Sequence, residues 1–339
     1  MIRNLLRPNI AALTPYSTAR DEYSGPIGIF LDANESPYDN GVNRYPDPHQ
    51  ARLKAVVSRL KGVPQRNLFL GNGSDEAIDL VYRLFCEPGR DNAVMIVPSY
   101  GMYGVAAAIN DIAVRSVRLE ADFSLDTDKL LSATDRRTKV MFLCSPNNPS
   151  GNAFPKSQLL DIVDVFPGIV VVDEAYVDFS DKGSLAADAC RRDNLIVLQT
   201  LSKARAMAGL RIGMAVANEE IIRYMSRVKY PYNLSTAAME KALELLRQPI
   251  SDEVATIRSE RARLAAALPA FPFVKTVYPS DANFLLVQVE DADGLYETLL
   301  QKGIIVRNRS RVPGCEGCLR LTVGLPREND TLLQTLQAL

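Results

Sequence analysis

Two apolar runs, each followed by polar residues suited to cofactor chemistry, constrain this chain more than any other feature. The run Ile169–Val172 ends in Asp173, and a second run leads through Thr200 to Lys203. Arg211 follows eight residues later. Continuous runs of Ile, Val and Leu are typical of strands buried on both faces of a mostly parallel sheet. Ligands of such sheets bind at the carboxyl ends of the strands, where we expect Asp173 and Lys203 to lie.

These residue types match the requirements of pyridoxal phosphate. That cofactor needs a lysine for its aldehyde, a carboxylate for its pyridine nitrogen, and hydroxyl or cationic groups for its phosphate. Lys203, Asp173, Ser202 and Arg211 together supply these groups. The plain alternatives are a solvated loop lysine and an aspartate that caps the end of a strand.

Further candidate residues follow predicted strands. Gly73-Ser74-Asp75 precedes a stretch with apolar residues at helical spacing, and the free N–H groups at the start of a helix suit a phosphate. Turns of this kind are also common as simple strand-to-helix connections. Asn148 and Tyr176 follow strands as well, and either side chain suits the phenolic oxygen of the cofactor. Each is otherwise explained as a turn or packing residue.

Composition places the chain among ordinary soluble globular proteins. It has 339 residues, of which 47% are hydrophobic and 23% charged, with a net charge of −1. This balance predicts no nucleic-acid partner, and no apolar run approaches the ~18 residues of a membrane span. The N-terminus lacks the apolar segment of a secretory signal, so the cytoplasm is the expected compartment.

The cysteine and histidine counts exclude several kinds of site. Five cysteines are sparse and odd in number, which argues against a disulfide framework. Cys315 and Cys318 form a C-x-x-C pair, but a structural zinc needs four ligands, and the single histidine, His49, lies far away in sequence. We therefore expect reduced thiols and no metal site. A redox role for the cysteine pair is the alternative.

Strand and helix patterns alternate from about residue 50 to 230. The predicted strands are Leu68–Leu70, Ala93–Val97, Val114–Val117, Val140–Cys144, Ile169–Asp173, Leu195–Thr200 and Ile212–Ala217. The clearest predicted helices are Asp75–Cys86, Lys156–Phe166 and Glu219–Ser226. This alternation predicts a large α/β domain over residues 41–230.

The pattern changes after about residue 234. One long helical tract is predicted over Ser235–Leu268. Strands are then predicted at Phe273–Val277, Asn283–Val289, Ile304–Val306 and Leu319–Val323, with helices at Ala292–Lys302 and Asn329–Leu339. We predict a smaller α+β domain over 231–339, grouped with an irregular arm over 1–40.

Several strings of residues resemble one known family. DEAYVDF, TLSKARAMAGLRIG and SPNNPSG resemble the fold-type I pyridoxal-phosphate-dependent aminotransferases. LDANESPY, NRYPDP, GNGSDE, VPSYGMYGVAA and CLRLTVG narrow the likeness to the histidinol-phosphate aminotransferases, and it runs nearly end to end. The resemblance implies an α/β fold with a mostly parallel sheet flanked by helices and a smaller α+β domain.

The resemblance also implies a role for each candidate residue. Lys203 would hold the cofactor's aldehyde carbon and move a proton, and Asp173 would pair with the pyridine nitrogen. The other implied cofactor contacts are the phenolic oxygen for Tyr176 and Asn148, the ring face for Tyr100, and the phosphate for Gly73, Ser74, Asp75, Ser202 and Arg211. Tyr45 would reach the cofactor phosphate of the neighbouring subunit in a homodimer, and Arg307 and Arg320 would face the substrate.

The implied activity is amino transfer between two small-molecule substrate pairs in histidine biosynthesis. These are histidinol phosphate with imidazole-acetol phosphate, and glutamate with 2-oxoglutarate. An aromatic-amino-acid aminotransferase or a threonine-phosphate decarboxylase of the same fold is the near alternative, since it would share every cofactor residue. A non-catalytic cofactor-binding regulator is the distant alternative, and the chain shows no basic helix-turn-helix extension that would favour it.

Overall fold

The computed structural model describes residues 2–18 and 28–339, which form two β-sheets with helices packed against them. The strands of the larger sheet are β1 (Leu68–Asn72), β2 (Asn92–Val97), β3 (Ala113–Arg118), β4 (Thr138–Cys144), β5 (Ile169–Asp173), β6 (Leu195–Thr200) and β7 (Ile212–Val216). Their order across the sheet is β1-β7-β6-β5-β4-β2-β3, and only β7 runs antiparallel to its neighbours. The mostly parallel sheet predicted from the sequence is confirmed, with strand ends that shift by about two residues or fewer.

Helices cover both faces of this sheet. The helices of the chain are α1 (Pro8–Ala11), α2 (Ala51–Lys61), α3 (Gly73–Phe85), α4 (Met102–Ile109), α5 (Thr127–Ser132), α6 (Lys156–Val165), α7 (Ala186–Ala189), α8 (Glu219–Val228), α9 (Thr236–Leu245), α10 (Ser251–Ala267), α11 (Ala292–Gln301) and α12 (Pro326–Gln337). Alternate residues of β5 divide between two cores: Val171 packs with α3, α4 and α8, whereas Val172 packs with α2, α5 and α6. Burial on both faces explains why β5 and β6 are continuous apolar runs.

The smaller sheet is antiparallel and has its own core. Its strands are β8 (Val274–Val277), β9 (Phe284–Val289), β10 (Arg307–Asn308) and β11 (Cys318–Thr322), in the order β10-β11-β9-β8. One face packs on α10, α11 and α12 through residues such as Leu264, Leu319 and Leu336. The other face contributes Leu286 and Cys318 to a core of the larger sheet. The predicted α+β unit is therefore seated against the large sheet.

Two predicted elements differ from the structure. The helical tract Ser235–Leu268 is two helices, α9 and α10, because Pro249 lies between them and a proline has no N–H to donate within a helix. The strand predicted at Ile304–Val306 is absent from the described structure, and pairing begins instead at Arg307. The N–H of Ile304 donates to Leu299 O at 2.8 Å and closes the end of α11, so it is not available to a sheet.

The N-terminal arm is irregular over most of its described length, apart from α1 and one turn of 3-10 helix at Ile2–Asn4. Ile2, Leu6 and Ile10 are buried in the core that α3 and α8 form with the large sheet. Ile29 and Leu31, by contrast, are 91% and 90% exposed. The first residues of the arm therefore pack into the core, whereas the apolar side chains of Ile29 and Leu31 are exposed to solvent.

Candidate active site

A cleft at the carboxyl ends of β4, β5 and β6 brings most of the predicted cofactor residues together. The residues that line it are Gly73, Ser74, Asp75, Tyr100, Cys144, Asn148, Asp173, Ala175, Tyr176, Thr200, Ser202, Lys203 and Arg211. Every predicted cofactor residue except Tyr45 is among them. Cys144, Ala175 and Thr200 were not anticipated from the sequence. The cleft lies where ligands of parallel sheets are expected to bind.

Asp173 ends β5 and is almost completely buried. Its Oδ2 accepts a hydrogen bond from the Tyr103 hydroxyl at 2.7 Å, and its Oδ1 accepts one from the Ala175 N–H at 3.0 Å. Burial raises the pKa of Asp173 to about 6, although both hydrogen bonds act in the opposite direction. A buried carboxylate with so little charge compensation is a suitable partner for a cationic ring N–H.

Tyr103 was missed by sequence reasoning. It lies in the first turn of α4, three residues beyond Tyr100, and is fully buried. Its ring packs against Phe142 of β4, with ring centroids 4.9 Å apart, and this packing fixes where the hydroxyl points. The sequence shows only a second tyrosine three residues beyond Tyr100, which does not by itself indicate a contact with Asp173.

Lys203 follows β6 and reaches the cleft from the strand next to Asp173. Its side chain is open to solvent at the cleft, yet protein atoms surround the amine closely, and this desolvation is the largest cause that lowers its pKa. The positive charges of Arg320 and Arg211 lower it further. A larger neutral fraction favours attack on an aldehyde, since only the unprotonated amine is a nucleophile.

The start of α3 and the residue Arg211 form the cationic end of the cleft. Arg211 Nη2 lies 3.3 Å from Asp75 Oδ2, and its Nη1 lies 3.5 Å from Ser202 Oγ. Gly73 has a left-handed φ of 73°, and a Cβ at this position would lie 2.6 Å from Arg211 Nη2. The glycine therefore keeps open a space bounded by helix N–H groups, a hydroxyl and a guanidinium, which suits a phosphate.

Gly213 of β7 allows the strand to pack closely against the start of α3. A Cβ at Gly213 of β7 would lie 2.1 Å from the backbone N of Ser74, which no side chain tolerates. The close approach of β7 to the start of α3 is also held by the Gly73 N–H, which donates to Arg211 O at 2.7 Å. Only glycine at 213 lets the strand and the turn meet.

Asn148 and Tyr176 lie on the side of the cleft nearest the small sheet. The side-chain oxygen of Asn148 accepts a hydrogen bond from Arg320 Nη1 at 2.5 Å. Within the described residues the amide nitrogen of Asn148 has no hydrogen-bond partner, so it is available to donate into the cleft. Tyr176 is buried, and burial raises the pKa of its hydroxyl. Both groups can donate to an anionic oxygen at this place.

Tyr100 spans the cleft towards the start of α3. Its hydroxyl donates to Asp75 Oδ1 at 3.0 Å, and its ring meets the edge of Tyr103 at a centroid distance of 5.6 Å. The Tyr100 ring therefore lies next to Tyr103, which is hydrogen-bonded to Asp173. This placement is compatible with stacking on a planar ligand above Asp173.

The two predicted substrate arginines lie opposite each other in the small sheet. Arg307 of β10 and Arg320 of β11 are paired across the antiparallel ladder. Arg320 reaches Asn148 and lies over the ring of Phe284, with its guanidinium carbon 5.2 Å from the centroid. Arg307 is exposed. Neither lines the cleft itself, but Arg320 touches its edge through Asn148.

Tyr45 lies outside the cleft of its own chain. Its ring stacks on Tyr232 with centroids 4.5 Å apart, and it is 49% exposed. Its backbone N–H donates to Glu35 Oε1 at 2.6 Å, and Glu35 also pairs with Arg44. The cross-subunit role of Tyr45 stays a prediction.

The donor set fits pyridoxal phosphate. A desolvated lysine amine, a buried carboxylate on the adjacent strand, two groups for an anionic oxygen and a phosphate cradle occupy one cleft. The cradle depends on glycines at 73 and 213, where a Cβ would fill the space or collide with backbone. None of the helices in residues 2–18 and 28–339 combines the length and the hydrophobicity that a membrane span requires.

This chain is similar to known aminotransferases. The family model of the class I and II aminotransferases matches residues 30–336. A histidinol-phosphate aminotransferase of Parabacteroides distasonis is 53% identical over 338 residues, which cover 99% of this chain and 98% of that protein. One from Bacteroides fragilis is 50% identical over 339 residues, with coverage of 99% and 98%.

Solved structures share the fold at lower identity. The histidinol-phosphate aminotransferase of Clostridium acetobutylicum superposes with a TM-score of 0.81 at 24% identity, covering 88% of this chain and 90% of that one. The enzyme of the same name from Sinorhizobium meliloti, solved in complex with pyridoxal 5′-phosphate, gives 0.80 at 22% identity, covering 87% and 83%. These likenesses establish a fold with a large, mostly parallel sheet and a smaller attached unit.

Proposed function

The chain belongs to the family of class I and II aminotransferases, and we propose that it transfers an amino group between histidinol phosphate and 2-oxoglutarate. The observation that carries the proposal is the identity of 53% and 50% to histidinol-phosphate aminotransferases along nearly the whole of both chains. The reaction would yield imidazole-acetol phosphate and glutamate, or run in the reverse direction. The family is dependent on pyridoxal phosphate, and the cleft fits that cofactor.

When bound, pyridoxal phosphate supplies an aldehyde for the substrate's amine and a conjugated ring that withdraws electrons. Lys203 Nζ would hold the cofactor at its aldehyde group. The amine of Lys203 would also be the positioned base that takes a proton from the substrate's α-carbon and returns it as an acid. Asp173 would keep the ring nitrogen protonated, because an adjacent anion favours the cationic form. Lys203 and Asp173 leave neighbouring parallel strands, which supports their acting on one ring.

The other cleft residues would hold the cofactor in place. Asn148 and Tyr176 would donate to the phenolic oxygen, and Tyr100 would cover one face of the ring. The phosphate would rest on the Gly73-Ser74-Asp75 turn with Ser202 and Arg211. Arg211 has a left-handed φ of 55°, and strained backbone of this kind in a non-glycine residue is concentrated at functional sites, which supports this role.

Two arginines would let one pocket accept two unlike anions. Histidinol phosphate carries a phosphate dianion, whereas glutamate carries two carboxylates. A planar guanidinium binds either anion through a pair of parallel hydrogen bonds. Arg320 lies at the edge of the cleft beside Asn148, and Arg307 stands opposite it on the next strand. This arrangement supports Arg320 as the group common to both substrates.

We also infer a homodimer in which Tyr45 reaches the cofactor phosphate of the partner subunit. Tyr45 is exposed and lies outside its own cleft, and Ile29, Leu31 and Tyr38 nearby in sequence are at least 83% exposed. A group of uncovered apolar side chains in one segment favours contact with another protein surface. The division into residues 41–230 and the remaining parts, and the cytoplasmic location, stay predictions.

Absorbance spectra of the purified, cofactor-loaded protein test the function. Addition of histidinol phosphate should convert the cofactor to its amine form, and 2-oxoglutarate should restore it, because the two half-reactions alternate. Release of CO₂ from a phosphorylated amino acid would instead identify a decarboxylase. Faster conversion with aromatic amino acids than with histidinol phosphate would favour the broader aminotransferase, and a spectrum that no amine changes would contradict an enzyme.

A further inference from the structure

A third arginine continues the face of the small sheet on which the two substrate arginines lie. The Arg309 N–H donates to Cys318 O at 2.8 Å, which extends the pairing of Arg307 with Arg320 by one step along the ladder. Side chains alternate between the faces of a strand, so Arg307 and Arg309 share a face with their partners Arg320 and Cys318. Cys318 packs into the core of the large sheet, and Arg320 reaches Asn148. This face therefore looks towards the cleft.

Within the described residues, the three guanidinium groups act on one another electrostatically and have no carboxylate counterion. In the described part of the chain, no carboxylate lies within 4.0 Å of Arg307, Arg309 or Arg320, whereas Arg192 and Arg258 pair with Asp164 and Asp181. The pKa of Arg309 is lowered first by burial and then by the charges of Arg320 and Arg307. Tyr176, which lines the cleft, also acts electrostatically on Arg309. A group of positive charges without a counterion attracts an anion.

Two polar atoms beside these charges have no partner. Arg309 Nε and Ser310 Oγ are buried, and neither makes a hydrogen bond within residues 2–18 and 28–339. A buried donor that is left unsatisfied destabilises the folded protein, because it has lost its hydrogen bonds to water. Buried polar atoms without a partner are rare in native proteins, so these two atoms are expected to bind a ligand or an ordered water. Both atoms belong to adjacent residues where the pairing of β10 with β11 ends.

We propose that Arg309, supported by the Ser310 hydroxyl, is a further specificity-determining residue that binds the phosphate dianion of the substrate. The proposal rests on the proposed function for the identity of that substrate. One guanidinium satisfies the two oxygens of a carboxylate, as Arg320 would do for glutamate. A phosphate monoester has three terminal oxygens and a charge near −2, so it has acceptors left for Arg307 and Arg309. Arg309 thus selects phosphate over carboxylate.

The cofactor-loaded enzyme tests this with two matched variants. Arg309→Gln removes the half-buried charge, and Arg311→Gln removes an exposed charge two residues away in the same loop. We would measure inorganic phosphate as a competitive inhibitor of the glutamate half-reaction, and kcat/KM for histidinol phosphate and for glutamate. Loss of hydrogen bonds to a charged group predicts a phosphate inhibition constant about ten- to hundred-fold higher in Arg309→Gln. Glutamate kcat/KM should change less than about three-fold, and Arg311→Gln should behave like the parent because exposed charges are screened.

Two milder variants, Arg309→Lys and Ser310→Ala, are included in case Arg309→Gln does not fold. The unfolding temperature shows whether each variant is folded, and the cofactor absorbance shows whether it is loaded. Arg309→Lys keeps the charge without the planar fork, so it should recover only part of the phosphate affinity. Ser310→Ala should weaken phosphate several-fold. The proposal is overturned if folded, loaded Arg309 variants bind phosphate as Arg311→Gln does, or if phosphate and glutamate weaken equally. Failure of the parent to use histidinol phosphate would refute the proposed function alone, because phosphate inhibition still reports on Arg309.

Discussion

The hydroxyl of Tyr103 donates to Asp173 Oδ2 at 2.7 Å, and both side chains are almost completely buried. The hydrogen bond favours the charged carboxylate and so opposes the rise in the pKa of Asp173 that burial causes. Tyr103 therefore acts through Asp173, as a positioning residue. It would help the carboxylate to stay ionised when a cationic ring nitrogen faces it.

Replacement of Tyr103 by phenylalanine tests that relationship. Loss of a hydrogen bond to a charged group costs about 1.5–3 kcal/mol, so affinity for pyridoxal phosphate should fall roughly ten- to hundred-fold. The pKa of Asp173 should also rise, so cofactor binding should decline at a higher pH than in the parent as the solution is acidified. Titration of the stripped protein with cofactor at several pH values measures both effects. A uniform loss of affinity at every pH would indicate a structural role only.

Lys203→Ala should retain the fold yet lose covalent attachment of the cofactor and nearly all turnover. Lys203 is the lysine that lines the cleft, and its amine is the one whose pKa is lowered by burial there. Borohydride reduction followed by mass analysis of peptides shows which lysine carries the cofactor. Lys61, which pairs with Asp178 on another face, is a suitable control position. A reducible attachment that persists in Lys203→Ala would assign the role to another lysine.

The raised pKa of Asp173 predicts how stability depends on pH in the protein stripped of cofactor. The folded protein holds the Asp173 proton more tightly than the unfolded chain, whose carboxyl has an ordinary pKa of 3.8. Its contribution to the free energy of unfolding is therefore fully present below about pH 4 and is lost as the pH rises through about 6. A shift of this size corresponds to about 3 kcal/mol.

Urea unfolding of the stripped parent and of Asp173→Asn at pH 4.5 and pH 8 measures this difference. The parent should lose stability relative to the variant as the pH rises, because the variant has no carboxylate to ionise. Bound cofactor should reduce the loss, since its ring nitrogen supplies a cation to Asp173. Equal pH dependence of the two stripped proteins would contradict an ionising, buried Asp173.

Mixed dimers test the inferred role of Tyr45. Chains with Tyr45→Phe and chains with Lys203→Ala should each be impaired as homodimers. If Tyr45 serves the partner's cleft, a mixed dimer contains one cleft with both changes and one with neither. Activity should then recover on mixing, to about half of the parent value per mixed dimer for one intact cleft in two. Absence of recovery, with subunit exchange confirmed by mass, would place Tyr45 in its own subunit's site or outside any site.

The arginine pair predicts different effects on the two substrates. Arg320→Ala should weaken both histidinol phosphate and glutamate, because Arg320 lies beside Asn148 at the edge of the cleft. Arg307→Ala should weaken the phosphorylated substrate more. Each loss should reach about 1.5–3 kcal/mol, or roughly ten- to hundred-fold in kcat/KM. If neither change distinguishes phosphate from carboxylate substrates, the general amino-acid aminotransferase becomes the better interpretation.

The sequence predicted the large sheet well because its strands are buried on both faces. Every residue of β5 and β6 is buried, so each strand begins with an unbroken apolar run, 169–172 in β5 and 195–198 in β6, before the polar residues at its end. The sequence predicted the helices of Ser235–Leu268 less well, because they are two and not one. Helical periodicity continues on both sides of Pro249, and only the missing N–H of that residue marks the break between α9 and α10.

Two features of the site were beyond what sequence patterns convey. Tyr103 belongs to a helix that packs on the large sheet, and its hydrogen bond to Asp173 joins residues 70 positions apart. The strand predicted at Ile304–Val306 also concealed the register of β10, which decides that Arg307 and Arg309 share a face. A period-two pattern needs several residues to be visible, and β10 has two.

The two sheets of this chain divide the proposed chemistry between them. Lys203 and Asp173, which we propose handle the proton, follow strands of the seven-stranded sheet, whereas the arginines proposed to choose the substrate lie in or beside the four-stranded one. Sequence changes in the β10–β11 hairpin can therefore alter which amine is accepted without disturbing the strands that carry the proton. An ancestral catalyst of this architecture could diverge into enzymes for new amines through one short surface segment, and the same hairpin is the natural target for redesign.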